Sequence, residues 1–356
     1  MVIEIDPLDT LFFKDGKPFS MGEETWADGV FPPFPSSIYG ALRSRYFSEH
    51  IDEFREQKKN GLLDTDKDPT YGLKIISMAL RNNNGDTFYA MPNDLLEKKE
   101  ERDSSVYRLK IIDNKWPAHL NKNLHLLYAP DEDVYQNAEN ALLNECDFAD
   151  YLGNKENKFS FDTLDKYLDY EPKVGIARNR FSHAAESGKL YRVGMRRLKG
   201  LKIVVEFSGL ELPETGFLKL GSEGKCATYS TSEYTNIKMP SVGEFFTCYL
   251  ATPAIFNNGW LPGDIDEQTL KGTIHGVEVR MITAATGKPL HIGGYDMKAR
   301  RPKKMYKAVP AGSVYYFQLV SGKPDKLSDL HVHSISDKLG NQGFGIAYVG
   351  LWKGSE

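Results

Sequence analysis

The sequence predicts a strand-rich α+β protein built in two similar halves. Three observations predict it. The chain has 356 residues, a length that favours two domains, and its 40% hydrophobic and 12% aromatic content suits packed cores rather than disorder. Short runs of alternating β-branched and aromatic residues recur along the chain, separated by Gly, Pro and Asn turns, whereas helical periodicity is confined to a few segments. Finally, the unit that opens the chain, a strand followed by a proline-containing loop, recurs faintly after Asn236–Ser241. There the strand Glu244–Ala251 runs into Thr252-Pro253 and the loop Asn257–Gly263. The boundary divides an N-terminal domain, 1–237, from a C-terminal domain, 238–356.

In order, Ile3–Phe13 reads as the first strand and Lys14–Gly29 as a polar, glycine-containing loop. Phe31-Pro32-Pro33-Phe34-Pro35 then delivers the chain into a helix from about Ile38 to Phe47. Ser36 or Ser37 is the expected N-cap, because a hydroxyl there accepts from an orphan helical N–H. Ile38, Ala41, Leu42 and Tyr46 supply a face to bury, and Gly40 suggests a close backbone neighbour. Glu49–Asp68 reads as a charged helix tail and surface linker. Tyr71–Leu80 and Thr87–Met91 read as a hairpin turned by Asn82-Asn83-Asn84-Gly85-Asp86. Val106–Ile112 and Leu124–Ala129 are further strands. Ala138–Leu143 with Phe148–Leu152 is expected to be helical, as is Asp162–Tyr170. Leu201–Phe207 is the plainest strand. Val277–Ala284, Ser313–Leu319 and the glycine-punctuated Leu339–Leu351 complete the second half.

Composition excludes several classes. Charges interrupt the apolar N-terminal run, so it does not read as a signal peptide, and no apolar run approaches the ~18 residues of a membrane span. Cys146, Cys226 and Cys248 are too widely spaced for a zinc site or a disulfide framework and suit a reducing cytoplasm. The net charge of −4 argues against a polyanionic partner, but its distribution argues for one. Residues 131–171 hold twelve acids against three Lys, 173–202 hold nine Lys or Arg against the single acid Glu186, and 298–307 hold six basic residues and no acid. Local fields, not the net sum, steer an anionic ligand.

Lys173–Lys202 reads as a long hairpin carrying Arg178, Arg180, Arg192, Arg196 and Arg197, with Phe181 and Tyr191 among them. Aromatics interleaved with cations suit a single-stranded nucleic acid, whose bases need π-faces and whose phosphates need charge. A charged edge hairpin kept soluble is the alternative. A helix N-terminus beside Lys14 and Lys17 is a potential anion site; solvated lysines on a strand–loop–helix unit are the alternative. Neither Gly224-Lys225 nor Gly287-Lys288 completes a P-loop, since Lys219 and Cys226, and Ile282 and Pro289, occupy required places. Gly343-Phe344-Gly345 partly matches an RNA-recognition signature, with Gln342 and Ile346 departing from it. Among eight histidines, His331 and His333 share a strand face without ligand companions, so no metal or cofactor is expected. His183 at the hairpin tip is either an exposed turn residue or a general base for RNA cleavage.

Taken in order, several blocks resemble the RAMP-superfamily proteins of CRISPR effector complexes, and most closely the third-subunit group of the type III-B (Cmr) complex. They are Asp6-Pro7-Leu8 with Phe12 to Phe19, Phe34 to Arg43, Gly175-Ile176 with Gly188 to Tyr191, Leu220 to Lys225, Thr252 to Phe256, Val309 to Tyr315 and Gly343-Phe344-Gly345. One departure is Gly221-Ser222-Glu223, where a second glycine is expected. The resemblance implies two ferredoxin-like (RRM-like) domains in tandem, with inserted loops and hairpins, and no enzymatic activity. It implies three partners: the CRISPR RNA 5′ handle, the large polymerase-like Cmr subunit and the backbone RAMP subunit. No membrane and no small-molecule substrate are expected. The candidate RNA-binding residues are Lys14, Lys17, Phe19, Ser36, Ser37, Arg43 and Arg45 at the opening, and Arg178, Arg180, Lys189, Tyr191, Arg192, Arg196 and Arg197 on the hairpin. Gly221, Gly224 and Lys225 follow, then Arg300, Arg301, Lys303 and Lys304 of the second basic cluster, and Gly343, Phe344 and Gly345. Trp26 is placed either on RNA or at a subunit interface. An RNA-processing endonuclease and a protein-only scaffold are the other functions weighed.

Overall fold

The computed structural model describes residues 1–14, 26–101, 103–112, 124–296 and 301–354. Two antiparallel sheets dominate. The opening strand Val2–Pro7 sits inside the first, where alternation buries Ile3 and Ile5 completely and turns Val2 and Glu4 outward. It pairs with Leu201–Ser208 on one side (Ile3 opposite Val205) and with Cys226–Thr231 on the other (Ile5 opposite Tyr229). Lys74–Asn82 lies beyond Leu201–Ser208, and Thr87–Ala90, Ala141–Asn144 and Asp162–Thr163 extend that side, while Thr215–Lys219 closes the other. The inner four strands of the second sheet repeat this order. Phe245–Leu250 lies between Val314–Ser321 and Ile346–Leu351, with Val277–Ala285 outside Val314–Ser321.

The connections differ between the sheets. The first sheet uses the helix Pro35–Glu49, which buries Pro35, Ile38, Ala41, Leu42 and Phe47. Its N-cap is Phe34, with no side-chain cap bond, and Pro35 takes the first turn, where a missing N–H costs nothing. Neither Ser36 nor Ser37 caps it, because the proline moves the start of the helix ahead of both. At the corresponding place in the second half, 251–276 form turns and the short strand Lys271–Ile274. After Val314–Ser321 come the 3₁₀ segments Pro324–Leu330 and Gly340–Gln342 and the two-residue strand His333–Ser334, with no α-helix among the described residues there.

Two expected helices are corrected. Ala141–Asn144 is a strand, paired with Thr87–Ala90 and buried at its first three residues. A short apolar run carries no period that separates buried strand from helix. Asp162–Tyr170 folds as a strand end, a 3₁₀ turn at Leu164–Tyr167 and the start of the hairpin. The Glu49–Asp68 segment includes a second helix, Ile51–Lys59, with no buried residue.

One apolar core spans both halves, and a separate one lies within the second half. Helix Glu145–Leu152, capped by Asn144 accepting from the Asp147 N–H at 3.0 Å, lies between the sheets. Its Phe148 is fully buried and packs its ring against Tyr89 of the first sheet (4.3 Å between centroids) and Tyr249 of the second (4.7 Å). The buried Asp94 carboxylate accepts from the Tyr151 hydroxyl at 2.8 Å and the Tyr316 hydroxyl at 2.5 Å. His331 fastens the connector to the second sheet: its Nε2–H donates to the Ile237 carbonyl (2.7 Å) and its Nδ1 accepts from the Val349 N–H (3.1 Å). Burial holds this imidazole below the ordinary histidine range.

Candidate nucleic-acid interface

The basic hairpin is real and long. Leu168–Arg178 pairs with Ala185–Leu198, Tyr170 opposite Arg196 and Val174 opposite Arg192. Its root is anchored twice. Trp26–Asp28 adds a parallel third strand through backbone pairing with Arg192–Gly194. Leu11 exchanges backbone hydrogen bonds with Arg196 at 2.7 and 2.8 Å. Lys17, Phe19 and Arg300 lie outside the described residues.

The opening segment then passes beneath the glycine loop. The Phe12 carbonyl accepts from the Ser222 N–H at 2.9 Å. Gly221 has φ +78° and a Cβ there would stand 3.2 Å from that carbonyl, so both backbone conformation and space favour glycine. Lys14, Ser37, Gly40 and Gly221 thereby border one cleft of about 340 Å³. Gly40 faces open space rather than another backbone: an added Cβ would meet nothing within 4 Å. The expectation of a close neighbour is corrected, and the glycine instead keeps the cleft wide.

The structure sorts the candidate cations by their partners. Asp9 sits among several of them. Lys225 donates to its carboxylate and Arg197 lies 3.5 Å from it. The bond from Lys225, with the Thr10 N–H and the nearby Arg197, lowers the Asp9 pKa from 3.8 to about 2. Arg197 also clasps both oxygens of Glu171, and Lys189 pairs with Glu186. Arg45 is bound to Glu49 and to the Tyr229 hydroxyl. Arg43 is structural: its guanidinium joins Asp64 (2.6 Å), the buried Asp68 (2.5 Å) and Thr70 (2.7 Å), stitching helix Pro35–Glu49 to the turns that follow it. By contrast, no carboxylate among the described residues pairs with Arg178, Arg180 or Arg196. Arg178 donates to the His183 carbonyl and Arg196 stacks over the Tyr170 ring at 4.5 Å.

Tyr191 lies flat across Gly175, where a Cβ would come 2.2 Å from the ring, so one π-face is used within the hairpin. Phe181 is 93% exposed at the tip. One hairpin face also bares Val174, Ile176 and Leu190, an apolar strip that charge counting missed and that the alternation of residues 170–176 foreshadows. In the second basic cluster Lys304 and Lys338 flank the Tyr306 ring at 5.6 and 5.4 Å. Arg301, Lys303 and Lys304 are exposed. Lys338 was not anticipated, being distant in sequence.

The terminal glycine signature is corrected. Phe344 is fully buried with Phe34, Ile255 and Ile292, which removes it from any base. Gly343 would place a Cβ 2.9 Å from Ile75, and Gly345 one 2.6 Å from Ser336, so these glycines serve close packing. His331 and His333 do not share a strand face, since the edge strand begins only at His333. No group of three or more His, Cys, Asp or Glu among the described residues could hold a metal ion. No helix is long and apolar enough to cross a membrane among them.

Fold and surface together define an α+β protein whose two main sheets have the same inner strand order, with a basic hairpin rooted against a glycine loop. The chain belongs to the CRISPR-associated protein (Cas_Cmr3) family, whose model matches residues 3–352, so it is a Cmr3-type chain. No curated protein sequence matches it. Among solved structures it is similar to a chain of the Type III-B Cmr-beta bound to cognate target RNA and AMPPnP, with a TM-score of 0.51 and 15% identity, covering 89% of this chain and 86% of the other. A second structure, the Type III-B Cmr-beta bound to cognate target RNA, gives 0.49 and 18% over the same shares.

Proposed function

We propose that this chain is the non-catalytic RNA-binding subunit of a type III-B effector complex, gripping the 5′ handle of the CRISPR RNA. In that role it bridges the large polymerase-like subunit to the backbone subunits, in a reducing cytoplasm where Cys146, Cys226 and Cys248 stay free thiols. The observation that carries the reading is the convergence of the opening segment, the Gly221–Gly224 loop and the hairpin root on one surface. Phosphates would be met by Arg178, Arg180 and Arg196 on the hairpin and by Lys14 at the cleft. The shared inner strand order supports reading each half as a ferredoxin-like unit, divided at 237/238, with most crossover helices replaced by loops.

Two experiments test this. RNA crosslinking within the purified complex should map to the hairpin and the opening segment, and crosslinks confined to other subunits would sink the reading. Single-turnover assays of the isolated chain with repeat RNA should yield no cleavage. The exposed strip of Val174, Ile176 and Leu190 favours one addition, a protein neighbour packed on that hairpin face.

A further inference from the structure

The polar cleft at the hairpin root adjoins a second, apolar pocket. The cleft, about 410 Å³, contains Arg196 and Tyr170, with Asp165 also on its wall. The pocket, about 440 Å³, lies between the first sheet and the second half, and the two share Val30, Phe31, Asn140 and Leu164 as walls. Its other walls include Pro32, Met78, Pro253, Pro310 and Ala311. Prolines present C–H surface and no N–H donor. Several polar groups on the pocket wall already have partners. The Asn140 amide donates to the Asp165 carboxylate at 3.2 Å. The Thr252 hydroxyl donates to the Gly343 carbonyl at 2.7 Å and accepts from the Ile346 N–H at 2.9 Å.

We infer that the pocket is a nucleobase site, receiving one unstacked base of a single-stranded RNA whose phosphate rests in the adjoining cleft against Arg196. The juxtaposition selects this occupant. A planar ring with apolar faces, tied to an anion, fits a pocket with mainly apolar walls beside a guanidinium that lacks a carboxylate partner among the described residues. An apolar side chain from a protein neighbour would use the pocket and leave Arg196 without an anion. The mainly apolar walls hold a base by contact with its faces and do not read its identity. The inference rests on the RNA-binding reading and adds to it a particular subsite and its tolerance.

The test uses the full chain and single-stranded RNA octamers carrying one abasic position each, with binding read by fluorescence anisotropy. One abasic position should weaken binding by about tenfold, or about 1.4 kcal/mol, while exchanging the base there changes affinity less than about twofold, as base-tolerant stacking requires. Ala311→Trp fills the pocket and Phe31→Ala removes a wall. In each, the abasic penalty should vanish and intact RNA should bind about tenfold more weakly at an unchanged salt slope. Urea midpoints check folding, and Phe31→Ala carries the test alone if Ala311→Trp does not fold. A flat abasic scan with salt-dependent binding intact overturns the pocket and spares the RNA reading. Absence of salt-dependent binding overturns both. Normal RNA affinity in folded Ala311→Trp with failed assembly into the complex also overturns it, and assigns the pocket to a protein neighbour.

Discussion

Two triple variants of the hairpin region separate charge that is available from charge that is merely present. In the first, Arg178, Arg180 and Arg196 become Gln; none has a carboxylate partner among the described residues. In the second, Lys189, Arg197 and Lys225 become Gln; these are bound to Glu186, to Glu171 and Asp9, and to Asp9. Each variant removes three positive charges, so a mechanism that depends on net charge predicts equal losses. A cation that neutralises one phosphate of a single strand contributes about 0.7 to the slope of log affinity against log salt. Removing three such cations therefore lowers the slope by about 2.1, which is roughly a twentyfold change in affinity ratio between 50 and 200 mM salt. The second variant should lose less than about one slope unit, because those cations are already neutralised and release few counterions on binding. The assay is anisotropy titration of a labelled single-stranded RNA from 50 to 300 mM salt. Equal slopes for the two variants would refute the sorting of cations by partner.

Four further outcomes are expected. Asp9→Asn frees Lys225, while Arg197 keeps both oxygens of Glu171, so RNA affinity at low salt should rise and the slope should steepen by up to about 0.7; unchanged binding would remove Lys225 from the RNA path. Phe344→Ala should cost about 3–5 kcal/mol of stability in urea unfolding while leaving the salt slope unchanged, since the ring is core. His331 has its folded pKa below the ordinary 6.5, so the unfolded chain takes up the proton first. Its stabilisation is complete above about pH 6.5 and is lost as pH falls; the urea midpoint should drop between pH 7.5 and 5.5, less so in His331→Leu. His183→Ala should leave RNA cleavage by the assembled complex intact, the histidine being exposed and bonded only through its backbone.

Much of the fold was readable because its signals are local. The Asn82–Asp86 turn, the alternation of Val2–Pro7 and the hairpin around 182–189 each rest on a few adjacent residues. The misreadings have non-local causes. Ala141–Asn144 is a strand because Thr87–Ala90 lies beside it, which four apolar letters do not announce. Lys225 looked available because its partner Asp9 is 216 positions away, and Arg197 because Glu171 reaches it only across the paired hairpin strands. Phe344 matched a recognition signature, yet its neighbours Phe34 and Ile255 come from distant segments. Gly40 was the reverse: its glycine implied crowding, and the fold put a cleft there.

The central placement of the opening strand has a consequence for how the chain is made. Val2–Pro7 has no sheet partner until Leu201–Ser208 and Cys226–Thr231 exist. A ribosome adding about 5–20 residues per second reaches them roughly ten to forty seconds after the first strand emerges. Throughout that interval Ile3 and Ile5 lack their native cover. Closing a loop of about 200 residues also carries an entropic cost that grows with the logarithm of its length. Nascent chains arrested before residue 201 should therefore be held by chaperones and sensitive to protease at the N-terminal strand, and those extended past residue 231 should become resistant there.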